Sequence, residues 1–344
     1  MRNNDKQSGK KVKKRKKKIE NKKFSWKLLV KFLAFEIVFT IITAPFVLLY
    51  GPFDEAKKIY VGSAMGSMNN QWLATMFLSQ EKINEIIGSN DGSNHIEEQD
   101  NSLVSIPKSK DDTIEQYTLE DNSKFTGHVL VINDPTRVHV GVSSKLGTEG
   151  ETVTQIAENY DAVAAINGGS FTDNADSQQW TSNGGIPSGL LISNGEVLHD
   201  DLAGASTNMA AITRSGMLLV GQYTLDQLKE KDVTEALSFG PTLVVNGKAA
   251  SLKGVSDGGM APRTLIGQRK HGEIVLVVLD SKLPGGRIAA TYEEAQEVML
   301  QLGCITATNL DGGKSTTMYY DGEVINNPSF ALGERPIASG FIVK

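Results

Sequence analysis

An apolar run near the amino terminus constrains this 344-residue chain more than any other feature. The run extends from Leu28 to Tyr50, and its only charged residues are Lys31 and Glu36. As an α-helix it would be roughly 34 Å long, which is enough to cross a bilayer. No small-x-small cleavage site follows it directly, so the run favours an uncleaved anchor over a removed signal peptide. We therefore predict a transmembrane signal anchor over residues 25–50.

The charges of the chain divide sharply at this run. Residues 1–31 hold 14 Lys and Arg against two acidic residues, which leaves 21 basic and 38 acidic residues beyond, a formal charge of −17. Because positive flanks stay in the cytoplasm, residues 1–24 are predicted to be a basic cytoplasmic tail. The rest of this single-pass cell-membrane protein is then expected to be extracellular. A basic run confined to one terminus also argues against a nucleic-acid partner.

Residues 51–110 are predicted to connect the membrane segment to a folded domain. Within them, residues 72–87 place apolar side chains at roughly helical spacing, which indicates a short amphipathic helix. Gly88 to Ser109 is rich in Ser, Asn, Asp and Gly, a composition typical of a flexible linker. We expect the domain to begin near Asp111 and to occupy residues 111–344.

From Asp111 onward the sequence consists of short β-prone runs joined by turn signals. Helices are expected over about residues 152–159 and from Thr291, which forms a capping box with Glu294, to a stop at Gly303. The expected fold class is α+β, with largely antiparallel β-sheets and a few packed helices after the single transmembrane helix. Hairpins are predicted around Asp134-Pro135, Ser215-Gly216, Asn246-Gly247, His271-Gly272 and Asp321-Gly322.

Four polar, glycine-rich segments interrupt the apolar strands. The glycine pairs Gly168-Gly169 and Gly312-Gly313 allow unusual φ angles and can bring N–H groups to an anion, or they can form ordinary tight turns. Asn167 and Asn309 each precede one of these turns, where an amide either binds hydroxyl groups of a ligand or closes an Asx turn. The segments are residues 165–171 (AINGGSF), 239–241 (FGP), 262–267 (PRTLIG) and 309–317 (NLDGGKSTT).

Several other chemistries lack the residues they require. The stretch DGGKST imitates a phosphate-binding loop, but that pattern needs glycine where Thr308 stands. The five histidines are scattered, so no zinc site is predicted, although oxygen-ligated calcium is left open. No G-x-S-x-G elbow occurs, and the single cysteine, Cys304, is expected in the core. We expect no cofactor.

Six motifs, in order and spacing, resemble those of the phosphodiester glycosidase family. The resemblance covers about residues 125–344, and its most specific pieces are the PRT segment and the LDGG segment with its trailing N-x-PS and GERP. It implies hydrolysis of a sugar joined through its anomeric carbon to a phosphodiester. Departures from the family pattern are Lys314 and Thr316 in D-G-G-G-S-S, and Ser281 after Asp280. The motifs are AAINGGSFTD, SFGPTLVVNGK, APRTLIG, VVLDS, NLDGGKSTTMYYDGEVINNPS and GERPIAS.

Three carboxylates are available for this chemistry. Asp311, between Leu310 and two glycines, is the first candidate for nucleophile or base. Glu334 is the second, unless it orients Arg335, and Asp280 has a catalytic, supporting or turn role. Arg263 and Arg335 offer planar forks of donors to phosphate oxygens. The remaining predicted substrate contacts are Asn167, Gly168, Gly169, Asn309, Gly312, Gly313, Lys314, Ser315 and Thr316.

The sequence thus predicts an enzyme that hydrolyses sugar-1-phosphodiester linkages in a surface glycan or cell-envelope polymer. One alternative is a non-catalytic exopolysaccharide assembly or glycan-binding protein, which should bind ligand without turnover. Another is a structural envelope protein that acts through residues 72–87, in which Asp311→Ala should change nothing. Retention or inversion stays open, because sequence spacing does not give the distance between two carboxylates.

Overall fold

A computed structural model describes residues 25–65, 71–87, 97–108, 111–120, 122–172, 183–252, 255, 259–283, 286 and 288–344. The chain divides into two compact units, Met1–Pro52 and Phe53–Lys344. The basic tail predicted for residues 1–24 lies outside the described residues.

The described part of the first unit is essentially one helix, α1 (Trp26–Tyr50). Ser25 caps it, since its hydroxyl accepts a hydrogen bond from the Leu28 amide. By length and composition α1 can cross a membrane, and both a single-pass anchor and a signal sequence have this character.

The second unit begins with three short helices, α2 (Asp54–Met65), α3 (Trp72–Thr75) and α4 (Gln80–Ile87). The single helix predicted over residues 72–87 is therefore wrong. The chain leaves helical geometry after α3, and Ser79 starts α4 by accepting from the Lys82 amide. Helix α2 was not predicted from the sequence.

Residues 97–108 pack on the domain, where the sequence had predicted a flexible linker. The Gln99 side chain donates to the carbonyl of Leu218 (2.8 Å) and accepts from the amide of Val220 (3.0 Å). Further along, the Ser105 amide donates to Lys270 O (2.8 Å). The domain therefore starts before Asp111, and the rest of the predicted linker, residues 88–96, lies outside the described residues.

The described residues of the remainder form β-strands and the α-helices α5 (Val153–Asn159), α6 (Leu225–Glu230) and α7 (Tyr292–Gln301). The strands are β1 (Ile114–Leu119), β2 (Phe125–Ile132), β3 (Val138–Val142), β4 (Ala164–Asn167), β5 (Phe171–Thr172), β6 (Ile186–Pro187), β7 (Leu190–Ser193), β8 (Glu196–Asp200), β9 (Thr207–Thr213), β10 (Leu218–Tyr223), β11 (Val233–Ser238), β12 (Thr242–Val245), β13 (Lys248–Ala249), β14 (Arg263–Arg269), β15 (Ile274–Ser281), β16 (Cys304–Leu310), β17 (Met318–Tyr320), β18 (Glu323–Val324) and β19 (Ser339–Val343).

The strands form three large antiparallel sheets and one small one. A seven-stranded sheet has the order β1-β2-β15-β14-β16-β12-β13, and two five-stranded sheets have the orders β10-β9-β11-β7-β8 and β18-β17-β4-β19-β3. Strands β5 and β6 pair separately. The main core lies between the seven-stranded sheet and the two five-stranded sheets. Helix α7 covers the outer face of the first sheet, whereas α5 and α6 each cover one of the others.

The α+β prediction is confirmed, and so are most of its local signals. Four of the predicted hairpins are present, as β9–β10, β12–β13, β14–β15 and β17–β18. The hairpin around Asp134-Pro135 is wrong, because the chain crosses there from β2 in the seven-stranded sheet to β3 in a five-stranded one. Helices α5 and α7 are both present, and α7 has the predicted cap at Thr291. Thr152 caps α5 in the same way, and so does Thr224 for α6, a helix that the sequence analysis missed.

Cys304 lies in the core, as predicted, with 2% of its surface exposed. Burial raises the pKa of its thiol to about 12, so the reactive thiolate at pH 8 is on the order of 10⁻⁴ of the population. We expect 5,5′-dithiobis(2-nitrobenzoate) at pH 8 to leave Cys304 unmodified in the native protein and to react fully in denaturant. Rapid reaction of the native protein would contradict this placement.

Candidate active site

The four glycine-rich segments of the sequence meet at one end of the sheets. Arg263 begins β14 and is paired with the residue before Asp280 on β15. The next residue of β14 is paired with the residue before Asp311, at the end of β16. The FGP segment joins them through Asn309, whose amide donates to Pro241 O (3.0 Å) and whose Nδ2 donates to Gly240 O (3.0 Å). The structure therefore brings Arg263, Asp280 and Asp311 to the ends of three adjacent strands.

The buried side chain of Asn167 forms hydrogen bonds with several of these segments. Its side chain is fully buried, and its Nδ2 donates to the main-chain oxygen of Asp311 (2.6 Å). Its Oδ1 accepts from the Thr264 hydroxyl (2.8 Å) and from the Thr317 amide (3.0 Å). The amide of Asn167 thus joins the AINGG, PRT and LDGG segments and positions the main chain at Asp311.

The glycines allow the turns to approach closely, and only one of them needs a left-handed backbone. A Cβ on Gly168 would lie 2.3 Å from a methyl of Leu237, and one on Gly312 would lie 2.7 Å from the carbonyl oxygen of Pro262. A Cβ on Gly169 would lie 3.0 Å from the Ser339 hydroxyl. Gly313, at φ +61°, has open space beside it. The predicted unusual φ therefore applies to Gly313 among these four, and Gly168 and Gly312 are required by packing.

The turn that carries Asp311 is held on two sides. The Asp311 amide donates to Gly168 O (2.9 Å), and the Gly313 amide donates to Pro262 O (2.8 Å). Oδ2 of the Asp311 side chain is buried and has no hydrogen-bond partner among the described residues. Burial raises the pKa of Asp311, against the opposing effects of the Ser315 hydroxyl, the Arg335 guanidinium and the Gly312 amide. Most buried polar atoms of folded proteins have a hydrogen-bond partner, so this oxygen marks Asp311 as a candidate functional residue.

Arg335 lies beside this carboxylate. Its Nη1 donates to the hydroxyl of Ser315 (3.4 Å), and its guanidinium carbon is 4.8 Å from the centroid of the Phe171 ring. An arginine stacked on an aromatic face keeps its planar fork in one orientation. Phe171 was not predicted as a site residue, although it closes the AINGGSF segment.

Arg263 is held beneath the site. The residue is 4% exposed, its Nε donates to Ala290 O (3.0 Å), and its Nη2 donates to Gly259 O. The guanidinium carbon lies 4.0 Å from the centroid of the Tyr292 ring, on the side of the sheet that α7 covers. These contacts support the start of β14, and the predicted contact of Arg263 with phosphate stays a prediction.

Asp280 is buried, and its carboxylate contacts Asn326, Asn327 and His128, which were not predicted to be site residues. Its Oδ1 accepts from Asn326 Nδ2 (2.9 Å), its Oδ2 accepts from the Asn327 amide, and His128 Nε2 lies 3.7 Å from Oδ2. Burial raises the pKa of Asp280 although the hydrogen bonds from Asn327 and Asn326 and the nearby His128 act in the opposite direction. Burial lowers the pKa of His128, against the charges of Asp280 and Glu120. His128 was missed because the pairing of β2 with β15 is not visible in the sequence.

Glu334 is directed to the amino terminus of α5. Its two carboxylate oxygens accept from the amide (3.0 Å) and the hydroxyl (2.7 Å) of Thr154. First-turn amides of a helix have no partner within the helix, so this carboxylate acts as a cap. Its predicted catalytic role stays a prediction, while Asp311 has the less occupied carboxylate.

The remaining predicted contacts lie in the turn after Asp311. Lys314 is exposed and makes no ion pair or hydrogen bond with the described residues, whereas Ser315 and Thr316 are fully buried. Asn309 Oδ1 and Thr316 Oγ1 are buried and have no hydrogen-bond partner in the described part of the chain. Within that part, no group of three or more His, Cys, Asp or Glu residues is arranged to hold a metal ion.

Comparison with known proteins identifies a matching family model and a relative. The family model described as phosphodiester glycosidase matches residues 160–344, more than half of the chain. A prophage-derived uncharacterized protein of Bacillus subtilis strain 168, YomE, is 30% identical over 204 residues, which are 57% of this chain and 29% of that protein. The chain thus spans less than a third of the length of this curated relative.

Two solved structures share the fold. The catalytic domain of zebrafish N-acetylglucosamine-1-phosphodiester alpha-N-acetylglucosaminidase, auto-inhibited by its pro-peptide, superposes with a TM-score of 0.56 at 21% identity, over 70% of this chain and 86% of that one. A putative exported protein from Burkholderia pseudomallei K96243 gives 0.51 at 17% identity, over 64% and 74%. At these identities the likeness shows the architecture alone.

Proposed function

The chain belongs to the phosphodiester glycosidase family, and on that basis we propose that it hydrolyses sugar-1-phosphodiester linkages at the site around Asp311. The observation that carries the proposal is the arrangement of this residue with Arg335. One oxygen of the Asp311 carboxylate is buried and has no hydrogen-bond partner among the described residues, and this carboxylate lies beside a guanidinium stacked on Phe171.

The two groups suit the two halves of the reaction. The C1–O bond breaks with its electron pair moving to the phosphate, so negative charge grows on the phosphate oxygens while positive charge develops at the sugar carbon. Arg335 is placed to stabilise the first charge, and Asp311 to stabilise the second. The leaving group is a phosphate monoester with a second pKa of about 6, so it departs without strong help from a general acid.

Asp311 has one of two chemical roles. As a base it takes a proton from the attacking water, and the product is formed with inversion. As a nucleophile it forms a glycosyl ester that water then hydrolyses, and the configuration is retained. The configuration of the released sugar at early times, read by nuclear magnetic resonance, decides between the two.

We propose a surface glycan or cell-envelope polymer as the substrate. The supporting features are the apolar helix α1 and an acidic body with one exposed, unpaired lysine at the site, Lys314. Non-catalytic binding of the same glycan is the second candidate, since several polar groups of the site lack partners among the described residues.

The test is product release by the whole chain in detergent micelles. Methyl phosphodiesters of glucose and N-acetylglucosamine, each as the α and the β anomer, form the substrate panel. We expect free sugar and methyl phosphate from at least one anomer. Binding of the panel, measured by calorimetry, without turnover of any member would support the glycan-binding alternative, and absence of both would reject the proposal.

A further inference from the structure

Asp280 lies near the end of β15, and both of its carboxylate oxygens already accept hydrogen bonds. On β15 it shares a face with Val278, which packs in the main core. Its side chain is 6% exposed, and its two oxygens accept from Asn326 and Asn327, near the start of the segment after β18. We call this segment, residues 325–338, the Arg335 loop.

His128 completes the surroundings of this carboxylate. It lies on β2 directly opposite Val278 and therefore on the same face of the sheet as Asp280. Its Nε2 lies 3.7 Å from Oδ2 of Asp280, so the imidazole packs beside the carboxylate without a hydrogen bond to it. The other charge that acts on the ring comes from Glu120, just after β1.

The first residue that Asp280 holds also fixes the turn of the candidate site. Asn326 Oδ1 accepts from the Met318 amide (2.7 Å), and its Nδ2 donates to Thr316 O (3.2 Å) as well as to Asp280. Three residues later, the Ser329 hydroxyl donates to Gly313 O (3.2 Å). The beginning of the Arg335 loop is therefore tied to the turn that carries Asp311.

The far end of the loop is fixed independently. Ile337 forms an isolated antiparallel bridge with Glu151, next to the capped start of α5. Between the two attachments lies Arg335, whose Nη1 reaches the Ser315 hydroxyl. Glu334, next to this arginine, adds to the far attachment by accepting from Thr154 of α5. The position of Arg335 relative to Asp311 thus depends on the attachments at both ends of the loop.

We propose that Asp280 and His128 are positioning residues for the proposed hydrolysis, which lock the start of the Arg335 loop to the turn carrying Asp311 and so hold Arg335 opposite that carboxylate. The inference rests on the proposed function for its kinetic consequence but not for its structural one. With both oxygens accepting from the loop, Asp280 is a support for the site and not a group that touches substrate.

The kinetic test is Asp280→Asn in the whole chain, with Asp226→Asn on the surface of α6 as the matched control. The side-chain amide of the introduced asparagine has one oxygen, which can accept from either Asn326 Nδ2 or the Asn327 main-chain amide. Its NH₂ group then faces the other donor, so the loop loses an attachment. We expect kcat to fall about 10- to 100-fold, as for other supporting residues of active sites, with KM changed less than about 3-fold. His128→Gln keeps a polar side chain of similar size beside the carboxylate and should retain several-fold more activity than His128→Ala, which leaves a gap there.

The structural test is hydrogen exchange of the same variants. In Asp280→Asn, the Asn327 amide and the Arg335 loop should lose protection while the amides of β2 and β14 keep theirs. Unchanged kcat, unchanged exchange of the loop, or a loss of protection spread over the whole seven-stranded sheet would each overturn the proposal. If the wild-type chain turns over no phosphodiester, the proposed function fails, and the exchange result still decides whether the lock exists.

Discussion

Asp311→Asn should lower kcat on the best phosphodiester by roughly 10³- to 10⁴-fold, the usual contribution of a positioned base or nucleophile. Asparagine keeps the size of the side chain but cannot take a proton or form a glycosyl ester. The main-chain bonds of Asp311 to Gly168 and Asn167 are unaffected by the change, so the turn should keep its shape. The measurement is the initial rate of sugar release, with Asp226→Asn as the control.

Binding distinguishes this result from a loss of folding. The variant should bind methyl phosphodiesters within about 10-fold of the wild-type affinity, because the phosphate contact is assigned to Arg335 and removal of a charged oxygen lessens repulsion. Turnover that persists in Asp311→Asn at more than a tenth of the wild-type rate would remove Asp311 from the mechanism. Glu334 would then become the carboxylate to examine.

The pH profile follows from the surroundings of the same residue. Burial raises the pKa of Asp311 above its ordinary range, with Arg335 opposing that shift. Since the reactive form is the ionised carboxylate, the rate should fall on the acid side at a pH above that of an ordinary aspartate, ~3.9. Arg335→Met removes the opposing charge, so its acid limb should lie at a still higher pH.

Local signals in the sequence were sufficient for much of the fold. Asn246-Gly247 and His271-Gly272 predict their hairpins because each turn and its two strands form one continuous short segment, residues 242–249 and 263–281. Thr291 with Glu294 fixes the start of α7 by itself. The signal at Asp134-Pro135 is also a turn, but β2 and β3 do not pair across it, because β2 pairs with β1 and β15 while β3 pairs with β19. A local pattern cannot show which sheet a strand joins.

The same distinction separates what was found and missed at the site. Asp311 and Arg335 could be nominated because each stands in a distinctive motif. His128 stands in ordinary strand sequence, and its role depends on the register between β2 and the remote strand β15. Phe171 ends one of the motifs, but its contact with Arg335 joins two segments that are far apart in the sequence. Residues 97–108 misled the prediction for the opposite reason, because a linker-like composition conceals side chains such as Gln99 that bind the edge of β10.

Asn167→Asp should be the most destabilising single-atom change at the site. The nitrogen that donates to Asp311 O over 2.6 Å becomes an oxygen, so two acceptors face each other in a fully buried position. The introduced carboxylate keeps the Thr264 and Thr317 donors but has no cation among these partners. A buried charge without a counter-ion costs about 3 to 5 kcal/mol, which corresponds to a decrease in Tm of roughly 6 to 20 °C.

The pH dependence of that loss identifies its cause. When protonated, the introduced carboxyl can donate to the main-chain oxygen of Asp311 and replace the lost bond. Its pKa should therefore be higher in the folded than in the unfolded state, so the contribution to stability is present at low pH and is lost as the pH rises through the folded value. Thermal unfolding at pH 5 and pH 7.5 should show a smaller difference from wild type at pH 5. Asn101→Asp, at an exposed position, should show almost no loss of stability at either pH.

An equal loss at both pH values would mean that packing, and not charge, makes Asn167 necessary. Asn167→Leu should then be tolerated better than Asn167→Asp at pH 5.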